Sequence, residues 1–294
     1  MIFGASGLLG RSMMRAFGDW KVTGTSFRRK GRELVRMDAT SADDVRNVLS
    51  RIRPDVVVNC VGERRPAVWK EAPALARELN IEVARLIAEA ACRHGARLLH
   101  VSSDYVFDGT APPYWVDARR NPVNAYGRWK LLAEDAVRGA CPESVILRLP
   151  VLYGPVEYAA ETNLTQIARQ VGSGVPVELD DVCVRYPTHV DEAAEVCRWL
   201  ASARTQDQYL GSIVHWSAEH GFTKYRMGLV IAQHFGIAPG RIKAGAADAA
   251  SGDRPVDCRL DCHDLRAALG WPVDRYRTFA DEFPQVVAPW VGTA

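Results

Sequence analysis

The stretch MIFGASGLLGRSMM sets glycines at 4, 7 and 10 between a short apolar run and an apolar helical segment. Few folds use that spacing in that place. The first glycine makes a tight turn, the second lets a pyrophosphate approach the backbone, and the third lets helix and strand pack closely. The N–H groups that open the helix then face the phosphates. In strand–turn–helix context, G-x-x-G-x-x-G is a variant of the dinucleotide fingerprint. It predicts a cofactor loop made of Gly4, Ser6, Gly7, Leu8, Leu9 and Gly10. Only three residues precede Gly4, so the first strand is expected to begin earlier than this sequence does.

The rest of the first half keeps the same rhythm. Short apolar, β-rich runs at 1–3, 21–26, 33–37, 55–61, 97–103 and 144–150 are separated by helical patterns. Such alternation reads as βαβ units and a parallel sheet. The clearest helix carries Leu79, Val83, Leu86, Ile87, Ala90 and Ala91 on one stripe and stops at Gly95. After Leu149 turn signals crowd in, and only 191–201 and 223–235 read as helices. The predicted fold class is α/β: a Rossmann-type doubly wound parallel sheet with a smaller C-terminal region. Residues 1–153 form the dinucleotide-binding domain, 189–216 return to it, and 154–294 form the smaller substrate or partner region.

Composition argues against several classes of function. The formal charge of +2 gives no support to a nucleic-acid or membrane role. No apolar run reaches the roughly 20 residues that span a bilayer, and the N-terminus lacks a signal-peptide pattern. The odd count of seven scattered cysteines fits a reducing, cytoplasmic setting. Cys258, Cys262 and His263 lie close together, but not at a zinc spacing, so no metal is expected.

The turn after the second strand selects the cofactor. It reads TSFRRKGR, with Arg28, Arg29 and Lys30 where an NAD-binding chain carries a carboxylate. Arginine suits a 2′-phosphate, so NADP is expected, held there by Arg28 and Arg29. Asp38, after the third strand, is placed near the adenine. Cys60 and Val61, at the end of the fourth, complete the set.

LLHVSSDYVFDG ends a strand with Ser102 and Ser103, and strand C-termini are where open α/β sheets bind ligands. Tyr126 and Lys130 follow, four residues apart and on one helix face. A phenol with a pKa near 10 trades protons poorly at neutral pH. A nearby ammonium lowers that value. Lys130 can also hold the nicotinamide ribose, and Ser103 a substrate carbonyl.

Gly4, Gly7, Gly10, Ser103, Tyr126 and Lys130 together resemble the extended short-chain dehydrogenase/reductases. Within them, SSDYVFDGTAPPY, NAYGRWKLLAE, LRLPVLYG and RPVDCRLDC resemble the dTDP-4-dehydrorhamnose reductases. That resemblance implies reduction of a 4-keto sugar nucleotide by NADPH, with Tyr126 as proton donor, Lys130 as its tuner and Ser103 as carbonyl holder. A closer match runs through GERRPAVWKEAP, RYPTHVDEAAEVCRWLA and VHWSAEHGFTKYRM and covers nearly the whole chain. It is to the regulatory β subunits of methionine adenosyltransferase. It is most specific at Glu63–Pro66, where the sugar reductases carry a different segment. This resemblance implies bound NADP and a catalytic subunit of methionine adenosyltransferase as partner. The last stretch, FPQVVAPWVGTA, departs from that family's C-terminal tail.

Other residues keep two readings. Arg64 and Arg65 hold an anion or form a surface turn. Asn80 bonds backbone of the neighbouring strand. Arg148 and Tyr153 reach substrate or pin a loop. Trp69 and Trp115 line a pocket or a partner surface, whereas Trp129 packs. His189 and His215 receive no chemical role.

Overall fold

The computed structural model describes residues 1–27, 29, 31, 33–202, 206–246, 250–272 and 277–291. Among the described residues eleven strands follow in chain order: β1 Ile2–Phe3, β2 Gly24–Ser26, β3 Leu34–Arg36, β4 Val56–Asn59, β5 Arg97–Ser103, β6 Val145–Leu149, β7 Leu152–Tyr153, β8 Val177–Asp180, β9 Thr188–His189, β10 Ile213–His215 and β11 Ile242–Gly245. Seven of them form one parallel sheet in the order β10-β6-β5-β4-β1-β2-β3. The order reverses between β1 and β4, the switch point where doubly wound sheets bind ligands. Parallel strands buried on both faces are continuous apolar runs, and Val56–Val57–Val58 and Leu98–Leu99 in β4 and β5 are of that kind.

Helices cover both faces. On one, α1 (Leu8–Ala16) packs against α8 (Val190–Ala201). Leu9 and Met13 meet a surface of Ala193, Ala194, Val196, Cys197 and Leu200. On the other lie α2 (Ala42–Ile52), α5 (Val83–Arg93) and α6 (Ala125–Ala140). Their small residues, Ala84, Ala88, Ala91 and Ala133, let these helices approach closely around Val48, Leu49, Ile87 and Val137. Between β4 and α5 the chain makes two short helices, α3 (Pro66–Glu71) and α4 (Pro73–Arg77). A third core, around Tyr153, Leu164, Ile167, Met227 and Phe283, belongs to the C-terminal region. It joins α7 (Asn163–Gly172), the Lys224–His234 helix and the β8–β11 pair.

One expected helix differs. The segment from Leu79 is not regular: Glu78–Glu82 is a π turn, and α5 starts only at Val83. The amide of buried Asn80 donates to the Ala76 carbonyl at 2.7 Å and to the Glu63 carbonyl at 2.9 Å. An inserted side-chain amide widens the turn, and such turns gather at functional sites.

Candidate active site and cofactor cleft

The glycine loop stands at the switch point. Gly4 takes φ +77°, which a side chain rarely adopts, and a Cβ there would lie 3.2 Å from the backbone of Cys60 and Val61. At Gly10 a Cβ would fall 2.3 Å from the Gly4 carbonyl oxygen and 2.6 Å from the Ala5 Cα, so α1 can rest against β1 only if residue 10 is glycine. Gly7 is the N-cap of α1, and no side chain caps that helix. Its first N–H groups are therefore left for an anion. Such a cradle fits the pyrophosphate of a dinucleotide. Ser6 and Leu8 are partly buried beside it, while Leu9 turns into the core beneath. Cys60, partly buried, lies against Met13, and burial pushes its thiol up to about 12. The Val61 amide donates to the Asn59 side chain.

The basic turn lies at the rim. Arg28 and Lys30 lie outside the described residues. Arg29 donates to the Ser6 carbonyl at 2.6 Å and pairs with Glu157. Asp38 keeps to its own turn, accepting from the Thr40 amide and hydroxyl at 2.9 and 2.7 Å.

The Ser–Tyr–Lys set converges at the end of β5. Ser103, buried, donates to Asp104 at 3.0 Å and accepts from the Tyr105 amide. Asn124 caps α6 by accepting from the Gly127 amide, which starts the helix so that Tyr126 lies on its first turn. Lys130, one turn on, is buried and donates to the Val101 carbonyl at 2.6 Å. Desolvation lowers its ammonium from 10.5 to about 8, against the pull of Glu134.

The expected lowering of the Tyr126 pKa is reversed. Desolvation pushes the phenol up to about 12, and the Ser103 hydroxyl offsets only part of this. Asp104 adds to the rise and Arg64 opposes it. The Lys130 ammonium is instead engaged at the neighbouring strand, by the Val101 carbonyl. Asp104 itself is buried, and desolvation lifts its carboxyl to about 7 despite Arg185.

The segment 62–69 closes over this set. Glu63 is buried and accepts from the Arg65 amide at 2.8 Å and from its Nε at 2.9 Å. Burial acts upward on this carboxyl, but Arg65 overcomes it and holds the group below its ordinary value. The Glu63 carbonyl accepts from Asn80 and from the Trp69 indole N–H at 3.1 Å. Asn80 thus bonds the loop after β4 rather than the strand. Held at that point, the Trp69 indole stacks on the Tyr126 ring, with centroids 5.2 Å apart and planes 4° from parallel. Trp129 meets Trp69 edge-on at 6.1 Å, and Tyr105 meets Tyr126 in the same way at 6.0 Å.

Further residues are structural. Arg148 is buried in a bidentate pair with Glu134, at 2.9 and 2.8 Å, and donates to the Val116 carbonyl. Tyr153 sits in the C-terminal core. His189 caps α8 by accepting from the Asp191 amide. His215 borders Arg148, and burial lowers its pKa to about 3. Trp115 is exposed. Cys258 and Cys262 are buried with Phe107 and Tyr114.

Sheet order, glycine cradle and the serine–tyrosine–lysine set together define a Rossmann-type protein of the extended reductase class. The RmlD substrate binding domain model matches residues 1–288, and the chain belongs to that family. It is 37% identical to methionine adenosyltransferase 2 subunit beta of Bos taurus over 90% of this chain and 80% of that protein. It is 32% identical to the probable dTDP-4,6-dihydroxy-2-methyloxan-3-one 4-ketoreductase of Streptomyces antibioticus, over 98% and 95% of the two chains. Among solved structures, the dTDP-4-dehydrorhamnose reductase of Bacillus anthracis in complex with NADP superposes with a TM-score of 0.81 at 19% identity, covering 98% of each chain. That likeness speaks to the fold.

Proposed function

We propose that this chain is an NADP-binding regulatory subunit of methionine adenosyltransferase, a cytoplasmic protein that modulates S-adenosylmethionine synthesis by binding the catalytic subunit. The observation that carries the reading is the Glu63–Trp69 segment. Its first part, Glu63–Pro66, is where the resemblance to the β subunits is most specific, and its end lays the Trp69 indole on the Tyr126 ring. Identity to the bovine β subunit across 90% of the chain supports the same conclusion.

NADP is held in this reading by Gly4, Ser6, Gly7, Leu8, Leu9 and Gly10 around the pyrophosphate, and by Arg28 and Arg29 at the 2′-phosphate. Asp38, Cys60 and Val61 line the cleft, with Tyr126 and Lys130 at the nicotinamide ribose. When bound, the cofactor supplies a hydride donor or acceptor. Ser103, Tyr126 and Lys130 are the residual catalytic set. Residues 1–153, with 189–216, form the cofactor domain, and 154–294 the partner region. The test is S-adenosylmethionine synthesis by a catalytic subunit with and without this chain. A changed rate or methionine dependence supports the reading, and identical kinetics at saturating chain count against it.

The second reading is NADPH-dependent reduction of a keto sugar nucleotide. Identity of 32% to a probable 4-ketoreductase across 98% of this chain favours it. Turnover of dTDP-4-keto-6-deoxy-L-lyxo-hexose above about 1 per second, an ordinary enzyme rate, with loss in Tyr126→Phe, would establish it.

A further inference from the structure

The loop from Pro155 to Glu161 leaves β7 and straps across the glycine loop. Two carboxylates hold it there, in unequal ways. Glu161 is 4% exposed and meets Arg11 of α1 bidentately, at 2.7 and 2.8 Å. It also accepts from the Glu157 amide at 2.8 Å, which fixes the turn of the strap. Arg11 donates in addition to the Ser6 carbonyl at 2.9 Å. This end is a buried, fully bonded anchor. The other end is Glu157, 50% exposed, paired with Arg29, 37% exposed, while Arg11 Nη1 lies farther off at 3.5 Å from the same carboxylate oxygen. Tyr158 lies 5.8 Å below the same guanidinium. Arg29 also reaches the Ser6 carbonyl, so the two arginines that pair with the strap donate to one backbone oxygen of the glycine loop.

We propose that Glu157 is a specificity-determining residue for the cofactor: its carboxylate competes with the 2′-phosphate of NADP(H) for Arg29, and only the phosphorylated cofactor displaces it. The proposal rests on the reading that this chain binds NADP. Its warrant is the inequality of the two anions. An exposed carboxylate–guanidinium pair contributes little, because water screens it and two long side chains must be ordered. A phosphate monoester brings a charge of about −1.5 to −2 and three acceptor oxygens, and a guanidinium receives such oxygens two at a time. The phosphate therefore wins Arg29. NAD(H), which has only hydroxyls there, leaves the Arg29–Glu157 pair in place. On exchange the strap keeps its Glu161–Arg11 anchor and Glu157 keeps only the longer contact to Arg11, so the region around 155–158 senses which cofactor is bound.

The experiment is a binding titration of the full chain with NADPH and with NADH, followed by cofactor fluorescence and by calorimetry. Glu157→Gln removes the competing charge at almost the same size. It is expected to tighten NADPH about two- to fivefold, the scale of an exposed ion pair, and to leave NADH unchanged. In an Arg29→Gln background the same substitution is expected to have no effect on NADPH, since the competition needs both partners. An unchanged or weakened NADPH affinity in Glu157→Gln overturns the proposal, as does equal tightening of both cofactors or persistence of the effect without Arg29. If wild-type chain binds NADPH and Glu157→Gln does nothing, the competition alone is refuted. If wild type binds neither cofactor, the NADP reading falls and takes the competition with it.

Discussion

The Trp69 indole and the Tyr126 phenol ring lie face to face, 5.2 Å between centroids and 4° from parallel. The Tyr126 face is covered by a side chain from the loop after β4, tied down through the Glu63 carbonyl. Trp69→Ala removes the stack, and with it about 1–2 kcal/mol of stability. Urea unfolding reads this directly, and an unchanged midpoint would show that the stack carries no weight. The same variant is expected to raise NADPH oxidation with a 4-keto sugar nucleotide above the wild-type rate.

Lys130 gives a pH signature. Its ammonium is buried and its pKa falls from 10.5 to about 8, chiefly by desolvation. Between those values the unfolded chain holds a proton that the folded chain has released. Stability from this group therefore rises as pH climbs from about 8 to 10.5, by an upper bound of about 3–4 kcal/mol. Below pH 8 the charged form is buried at a cost. Lys130→Met should be relatively more stable than wild type at pH 7.5 and should lose the alkaline gain. Parallel pH dependences of the two proteins would contradict this.

The buried Glu134–Arg148 pair should behave as a unit. Removing either partner leaves a desolvated charge, at a cost of about 3–5 kcal/mol. Arg148→Met and Glu134→Leu are each expected to be strongly destabilising. The double variant should be less so than the sum, because no lone charge remains. Additive losses in chemical denaturation would mean that the two charges are not coupled.

Gly10→Ala tests the cradle. The new Cβ would meet the Gly4 carbonyl oxygen at 2.3 Å and the Ala5 Cα at 2.6 Å, both backbone atoms that cannot swing away. Overpacking of this kind costs about 1–3 kcal/mol, and moving α1 off β1 spoils the phosphate site. NADPH binding should be lost while far-ultraviolet circular dichroism is retained. Binding at wild-type affinity would remove the glycine loop from the cofactor site.

Local signals carried much of this architecture. The strand–glycine–helix pattern and the alternating Val- and Leu-rich runs define β1 through β6, and the parallel order follows from βαβ winding. Contacts between distant residues were not legible. Arg11 and Glu161 are 150 positions apart, and no periodicity links them. The face-to-face placement of Trp69 and Tyr126 depends on where a loop of two short helices ends up. The Tyr–Lys spacing implied a lowered phenol pKa, because it gives a shared helix face. It does not reveal that Val101 takes the ammonium or that burial outweighs charge at the phenol. The π turn at Glu78–Glu82 was hidden for a similar reason. Asn80 reads as an ordinary helix residue until its amide is seen reaching Glu63.

The central claim is that this fold serves a partner rather than a substrate. Mixing the full chain with a methionine adenosyltransferase catalytic subunit, with and without NADP, and separating by size exclusion tests it most directly. A stable co-eluting complex of defined stoichiometry is the predicted result. Separate elution in both cofactor states, from two proteins that are each folded, would contradict it.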